Sequence, residues 1–502
     1  MIFSITKTLT LLAAMAPLHS ASADHPKPKQ GVFLLSNQPE NEVGVYESLD
    51  DGTLSWVGSY KTGGIGYPEA DGADQLDSLG SSNSISYHVW DDKQWIVAAN
   101  AGGPDGEASI SLMEIDPATL QLTQVSKAIL QGQFTCSVTA HEDRVCAVTC
   151  AGSVTMECFR IQKSSRGMIA EFIHDFEANI PPVEDRPYAT SAAYGPGNIL
   201  FSGDGLQVGV IMKGDALLNF GNATDNRLHS APKAGFHSFP VSAEGYAAPS
   251  FIALPDETLP FAFTWRSGEL DTTKQIVLVV NIAGESMDFP ECDDAARCRS
   301  SITSILADFD TDSSVVLSKV DEVNADQIDL CWVDYRFGHF YTGNFLSDSV
   351  TIGTVSREGQ LSVERSSPIG RGTIPNDIAH MGRKIDGGFY LYTENQGSAE
   401  VGVHRVIENT PSFQLEVMIG APYPAGVTGD AWIGSHGLAA TLLSEEELFA
   451  MYKYTGNDSH SSSGTHQAAT DMEDITDTSS ARAASATTFL LGAFTYLVTL
   501  VI

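Results

Sequence analysis

The sequence has 502 residues, of which 63 are acidic and 28 basic, giving a formal net charge of −35. This balance argues against nucleic acid or anionic lipid headgroups as partners, because both need basic patches. Hydrophobic residues make up 42% of the chain, with 45 Gly and 22 Pro, so we expect a globular, turn-rich protein with a solvated acidic surface. A salty or acidic environment, or a cationic ligand, would also suit this charge.

Residues 1–23 have the features of a secretory signal peptide. Lys7 precedes the apolar stretch Leu9–Leu18, and Ala21-Ser22-Ala23 follows as a cleavage site lined by small residues. A buried N-terminal helix is the alternative. We expect cleavage after Ala23 and an extracellular protein. This compartment also fits the two glycosylation sequons, which start at Asn222 and Asn457.

A repeated unit indicates the fold. Phe33–Trp56 and Phe340–Val363 each contain a strand that ends at Asn, a second strand and then a Gly turn. The spacing of the three marker residues is the same in both: Asn37, Val43 and Gly52 in one, and Asn344, Val350 and Gly359 in the other. Further copies begin at Tyr390 and, less clearly, at Ile96. Self-similar groups of short strands are typical of propeller blades.

The chain therefore divides into units that predict an all-β fold, a single seven-bladed β-propeller with four-stranded blades over residues 31–455. The first strands of the units lie within Val32–Ser59, Ser84–Gly102, Ser137–Ile161, Tyr188–Lys213, Ser250–Phe309, Ile328–Leu361 and Ile378–Val417. A propeller must close without leaving an open sheet edge. We expect Gly434–Tyr454 to close it by sharing a sheet with Val32–Leu35.

Seven cysteines suit an oxidising compartment. Cys292 and Cys298 flank a polar loop and are predicted to form a disulfide. The group from Cys136 to Cys158 allows one or two more. One cysteine must stay unpaired, and Cys331, in an apolar strand, is predicted to be a buried thiol.

Several phrases resemble the lactonase-like propeller family, which includes bacterial 6-phosphogluconolactonase and the fungal carboxymuconate-cyclizing enzyme. They are NEVGVYESLDDGTL at Asn41–Leu54, LDSLGSSNSISYHVWDDKQWIVAANAG at Leu76–Gly102, CWVDYRFGHFYTGN at Cys331–Asn344, SVTIGTVSREGQL at Ser349–Leu361 and GFYLYTENQGSAEVGVHRV at Gly388–Val406. The resemblance implies a small lactone or carboxylate as substrate. It also implies a His at the start of a middle blade and an Arg-His pair in the next. The fourth and fifth units open at Pro187 and Ala248 without these side chains.

The clearest basic patch in this acidic chain contains Arg227, His229 and His237, in a stretch that we interpret as a loop. Arg227 could bind an anion and the histidines could transfer a proton if the loop folds over the channel. These three are the candidate catalytic residues. The alternative is an exposed polar insertion.

Carboxylates and polar residues at the openings of the last blades are candidates to line the channel. They are Asp329, Trp332, Asp334, Asn376, Asp377 and, after the last blade, His436. The alternative is that such Asp and Asn side chains cap turns. The sequence firmly implies no cofactor and assigns no metal ligand. If these oxygens converge, Ca²⁺ or Mg²⁺ is the ion that they would suit.

The C-terminus carries a second targeting signal. Residues 456–482 are rich in Ser, Thr and Asp and predict a disordered stalk. The apolar tail within 483–502, preceded by small residues at Ser479-Ser480-Ala481, matches a glycolipid-anchor signal with attachment at Ser479. A transmembrane tail is the alternative.

Together these features predict a monomeric, secreted propeller that is held at the cell surface through its C-terminus. One hypothesis is an enzyme that hydrolyses or forms a small lactone or carboxylate in the central channel. The other is a non-catalytic propeller that serves as a binding or scaffold module.

Overall fold

The computed structural model describes residues 28–67, 79, 82–102, 107–151, 155–163, 170–180, 195–213, 234–254, 260–266, 274–282, 300–309, 315–336, 338–385, 387–409, 412–424, 437–444 and 447. The predictions for the signal peptide, stalk, tail and Ser479 lie outside these residues. The same holds for Arg227, His229, His436, both sequons and the Cys292–Cys298 disulfide. Among the described residues, no helix is long and apolar enough to cross a membrane.

The described chain folds into seven antiparallel sheets, which confirms the predicted propeller. Blade 1 contains β1 (Gly31–Leu35), β2 (Glu42–Ser48) and β3 (Leu54–Lys61). Blade 2 contains β4 (Ile85–Trp90), β5 (Lys93–Asn100), β6 (Ser109–Ile115) and β7 (Leu122–Ile129). Blade 3 contains β8 (Gln133–His141), β9 (Arg144–Ala151), β10 (Thr155–Lys163) and β11 (Ala170–Asn179).

Blade 4 contains β12 (Pro196–Phe201), β13 (Gln207–Met212), β14 (Gly235–Ser242), β15 (Gly245–Tyr246) and β16 (Ser250–Ala253). Blade 5 contains β17 (Pro260–Trp265), β18 (Lys274–Asn281), β19 (Ser301–Phe309) and β20 (Val315–Asn324). Blade 6 contains β21 (Leu330–Arg336), β22 (His339–Asn344), β23 (Ser349–Val355) and β24 (Leu361–Pro368). Blade 7 contains β25 (Pro375–Ile385), β26 (Gly388–Asn395), β27 (Glu400–Asn409), β28 (Ser412–Val417) and β29 (Ala421–Pro422). The last strand, β30 (Leu438–Ala440), belongs to blade 1.

The predicted boundary between blades 4 and 5 is wrong. Ser250–Ala253 does not open blade 5, because it pairs with β14 as the outer part of blade 4. Blade 5 opens instead at Pro260, whose strand pairs with β18. The long connection between β13 and β14 hid this arrangement, because it interrupts the spacing that the other blades keep.

The two ends of the chain close the ring as predicted. β30 pairs antiparallel with β1, with Phe33 opposite Ala439, and supplies the innermost strand of blade 1. Two buried carboxylates hold its start. Asp377 accepts the amide hydrogen of Leu438, and Glu394 accepts that of Gly437 at 3.0 Å. Closure thus removes the free sheet edge that each terminus would otherwise expose.

Polar side chains join the innermost strands of neighbouring blades. Ser137 and Thr139 of β8 accept the amide hydrogens of Ile199 and Phe201 in β12, each at 3.1 Å. Asp334 of β21 likewise accepts the amide hydrogen of His380 in β25 at 3.2 Å. A buried backbone donor without a partner is costly, so these side chains satisfy donors that the sheets themselves leave unpaired.

The asparagine of the sequence repeat has a structural role. In blades 2, 5 and 6 it ends the second strand, and its Nδ2 donates to two hydroxyl groups on the third strand. Asn37 of blade 1 differs, because it lies after its strand and its Nδ2 donates to the carbonyl oxygen of Tyr67 at 2.9 Å. In blade 6, Asn344 donates to Ser349 at 2.9 Å and Thr351 at 2.8 Å. Asn100 and Asn281 make the corresponding bonds in blades 2 and 5. Gly52 and Gly359 adopt positive φ at the turns after their third strands, as the Gly turns of the repeat predict.

Blade 3 carries two disulfides, which resolve the alternatives left open by the sequence. Cys136 pairs with Cys150, and Cys146 pairs with Cys158, so the bridges join neighbouring strands. Cys331 remains a buried thiol, as predicted.

Candidate functional site

The two faces of the ring differ in the length of their connections. On one face the turns are short, as at Asp91-Asp92 and Glu142-Asp143, and we call it the short-turn face. The opposite face carries the connections from second to third strands and from each blade to the next. Long connections start and end there, at 62–84, 180–195, 213–234, 282–300 and 423–437, and we call it the long-loop face. Binding sites concentrate on loops that a rigid scaffold positions, so this face is the natural candidate.

Five innermost strands begin on this face with an irregularity. In β8, β12, β17, β21 and β25 the register shifts by one residue near the start of the strand. The extra residues are Cys136, Gly197, Phe261, Cys331 and Asn376. Such bulges redirect side chains and are common beside active sites. The bulges therefore make the long-loop end of the channel a candidate location for a functional site.

Asp329 is the most unusual group at this end. It immediately precedes β21 and is buried, with φ of 69°. Its Oδ1 lies 3.3 Å from the Sγ of Cys331, and its Oδ2 has no hydrogen-bond partner. Burial raises the pKa of Asp329 to about 7, against a smaller opposing effect of the bond from Cys331. A carboxyl group that titrates near neutral pH suits proton transfer.

The other channel candidates on this face have structural surroundings. Trp332 is fully buried, with its ring 6.2 Å from that of Phe345. Asp377 uses both carboxylate oxygens on backbone amides, those of Ile378 and Leu438. Asn376 is buried at the bulge of β25. Of these predicted residues, Asp329 alone combines a shifted pKa with an oxygen that lacks a partner.

Asp334 forms a buried pair with His380. Its carboxylate accepts a hydrogen bond from Nδ1 of His380, on the innermost strand of the next blade. Burial lowers the pKa of His380, and Asp334 opposes that effect. Because the pair lies between two innermost strands and also holds the backbone of His380, we assign it to joining blades 6 and 7.

The prediction that His237 lies in a loop is wrong. His237 belongs to β14, where it pairs with Val210 of β13 and Phe251 of β16. Its ring is buried 4.5 Å from that of Phe251, and burial lowers its pKa to about 4. Two strands separate β14 from the channel axis. This position gives His237 no access to a substrate in the channel.

Lys213 was not singled out from the sequence. It directly follows β13 on the long-loop face and is fully buried. Its Nζ lies 5.3 Å from the ring centroid of Phe261, the bulge residue of blade 5. A buried cation is rare unless it is compensated or functional. The sequence signal is a single Lys that ends the apolar run QVGVIM.

The part of the chain that the structure describes contains no group of three or more His, Cys, Asp or Glu that could hold a metal ion. An open groove of about 570 Å³ lies between the outer strands β20 and β24 and is lined by Asp326, Gln327, Glu364 and Arg365 among others. It is at the rim of the ring, away from the innermost strands.

Comparisons with solved structures identify the architecture. A periplasmic gluconolactonase of Pseudomonas aeruginosa superposes with a TM-score of 0.52 at 11% identity, over 82% of this chain and 99% of that one. A Bacteroides fragilis protein that has been assigned as a 6-phosphogluconolactonase superposes with a TM-score of 0.50 at 13% identity, over 79% of this chain and 96% of that one. The chain thus has the same overall fold as these two proteins.

The same fold also serves other proteins. A Sulfolobus tokodaii protein described as a hypothetical selenium-binding protein matches this chain with a TM-score of 0.50 at 10% identity, over 83% of this chain and 94% of that one. No family model and no curated protein match the chain. Function must therefore be argued from the site and not from the fold.

The middle blades of the propeller depart from the pattern that the sequence resemblance implies. The innermost strands of blades 4 and 5 have the sequences PGNILF and PFAFTW. Neither contains the His or the Arg-His pair that the resemblance implies. Any chemistry on the long-loop face thus has to use other residues, and among the described ones Asp329 has the environment best suited to it.

Proposed function

We propose that the protein is a secreted hydrolase that opens a small lactone at the long-loop end of the central channel. The observation that carries this proposal is the buried carboxyl of Asp329, which has one oxygen without a partner and a pKa of about 7. The name of the similar Pseudomonas aeruginosa gluconolactonase suggests a lactone as the substrate, and the chemistry is argued from the Asp329 carboxyl group.

Asp329 would act as a general base in its ionised form. A water oxygen attacks the lactone carbonyl carbon while the carboxylate removes a proton from that water. The ring C–O bond then breaks, and the departing ring oxygen takes the proton back. The product is a hydroxy acid. Lys213, on the same face two blades away, is a candidate to attract the carboxylate of the product or of a larger substrate.

The proposal is tested by acid release from lactones of several ring sizes, using protein from Asp24 to Ser479. We expect turnover above the buffer rate, and a loss of at least about a hundredfold in Asp329→Asn, the lower range of general-base contributions. Asp326→Asn is the matched control, because this exposed carboxyl lies on the same connection and lines the rim groove. No turnover by the unmodified protein, or an equal loss in the control, would refute the assignment.

A non-catalytic binding module is the second candidate. The observation in its favour is that β12 and β17 lack the side chains that the resemblance implies. In that case Asp329 and Lys213 would recognise a small polar ligand without converting it. Saturable binding of a hydroxy acid together with no turnover of any lactone would select this function.

We propose that the mature protein is held at the cell surface by a lipid attached at Ser479, after removal of residues 1–23. The support is the order of small residues, polar spacer and apolar tail at the C-terminus. Treatment of cells with a phosphatidylinositol-specific phospholipase should release the protein into the medium. Retention on the membrane would favour a transmembrane tail.

A further inference from the structure

Arg266 is a buried guanidinium on the short-turn face. It directly follows β17, the innermost strand of blade 5, and is 9% exposed. Its Nε and Nη1 have no hydrogen-bond partner. Its Cζ lies 6.0 Å from the ring centroid of Tyr335, so the aromatic ring of blade 6 supports one side of the group.

The neighbouring blade shows what an arginine at this position does when its role is structural. Arg336 ends β21, the innermost strand of blade 6, and donates to the carbonyl oxygens of Met381 and Gly382 at 2.7 and 2.6 Å. It thereby joins blade 6 to blade 7. Arg266 makes no such bonds to the described residues of blade 6. Two buried donors on a charged group are costly to leave unsatisfied, so a structural role does not account for this residue.

Asp334 is next to Tyr335 in β21 and Asp204 bonds to β18 of blade 5, but both carboxylates are engaged with other groups. Asp334 is paired with His380, and Asp204 accepts a hydrogen bond from Gln275 at 2.5 Å. Among the described residues, none forms an ion pair with Arg266. The described residues therefore do not neutralise this positive charge, although acidic residues outnumber basic ones in the chain, 63 to 28.

We propose that Arg266 anchors a binding site for a small oxyanion, a phosphate or a carboxylate, at the short-turn end of the channel. The bound oxygens accept hydrogen bonds from Nε and Nη1 and neutralise the buried charge. Arg336 adds positive potential from the next blade. The site lies on the face opposite to Asp329, so it is independent of lactone hydrolysis.

Titration calorimetry with inorganic phosphate and, separately, with acetate tests this site. The unmodified protein should bind at least one of the two anions with saturation. Arg266→Gln should weaken that binding by at least about tenfold, whereas Arg266→Lys, which keeps the charge, should lose less. Arg365→Gln is the control, because Arg365 is an exposed arginine on the outer strand β24 and its loss should not change the affinity.

Thermal unfolding without added anion gives a second readout. Arg266→Gln removes an uncompensated buried charge and should keep or raise the melting temperature. Arg336→Gln breaks two bonds between blades and should lower it. If neither anion binds at millimolar concentration, or if Arg266→Gln is as destabilising as Arg336→Gln and leaves anion affinity unchanged, Arg266 is a structural residue and the proposed site does not exist.

Discussion

At the scale of the residue, the surroundings of Asp329 determine its pKa. It shares its loop with Asp326, an exposed carboxyl, yet burial raises the pKa of Asp329 to about 7. The charged form is penalised because the side chain has left water, and one bond from Cys331 compensates only in part. Such a group costs stability at neutral pH, which is the usual signature of a residue kept for a function.

The cost at Asp329 predicts a pH-dependent effect on stability. The pKa of Asp329 is higher in the folded state than in the unfolded state. The carboxyl group therefore contributes its full stability below about pH 4, and this contribution is lost as the pH rises through about 7. Asp329→Asn should therefore raise the free energy of unfolding at pH 8, by at most about 4 kcal/mol, and have little effect at pH 4. Urea unfolding at the two pH values measures this. A loss of stability at pH 8 would mean that the carboxylate has a stabilising partner.

At the scale of the element, the asparagine that ends the second strand contributes to the regularity of blades 2, 5 and 6, and Asn344 is the example in blade 6. Its side chain joins the end of the second strand to hydroxyl groups of the third, and in blade 6 its Oδ1 also accepts a hydrogen bond from Thr342 at 2.9 Å. Buried hydrogen bonds of this kind fix the register where the chain enters a turn. Asn344, which marked the repeat in the sequence, is thus a structural residue.

Replacing Asn344 by Ala should be strongly destabilising. The change removes three buried hydrogen bonds and leaves hydroxyl groups unsatisfied, at a cost of about 3 kcal/mol. Chemical denaturation measures the change in the free energy of unfolding. Gln360→Ala, at an exposed position in the same blade, is the control and should change it by less than about 0.5 kcal/mol. Equal effects of the two variants would contradict this role.

At the scale of the whole molecule, the periodic part of the sequence was enough to predict the fold. The seven blades, the closing role of the last strand and the thiol of Cys331 followed from spacing, edge closure and cysteine count. The outer part of blade 4 could not be predicted in this way, because β14 contains His237 and follows a polar, basic stretch that resembles a loop. Burial between neighbouring blades, and not local composition, makes this segment a strand.

The candidate sites were only partly accessible from the sequence for the same reason. Asp329 could be named because it opens a blade. Lys213 and Arg266 could not be distinguished from ordinary surface residues, because each simply ends an apolar run. Only the packing of blade 5 against Lys213 and of blade 6 against Arg266 shows that these two charges are buried.

The pH dependence of kcat/KM for lactone opening tests the central claim most directly. If Asp329 is the general base, kcat/KM should rise with pH, follow a single ionisation near pH 7 and then level off, because only the carboxylate can accept the proton. Asp329→Asn should remove this step and leave only the slow increase due to hydroxide. The same profile in the protein and in Asp329→Asn would contradict the claim.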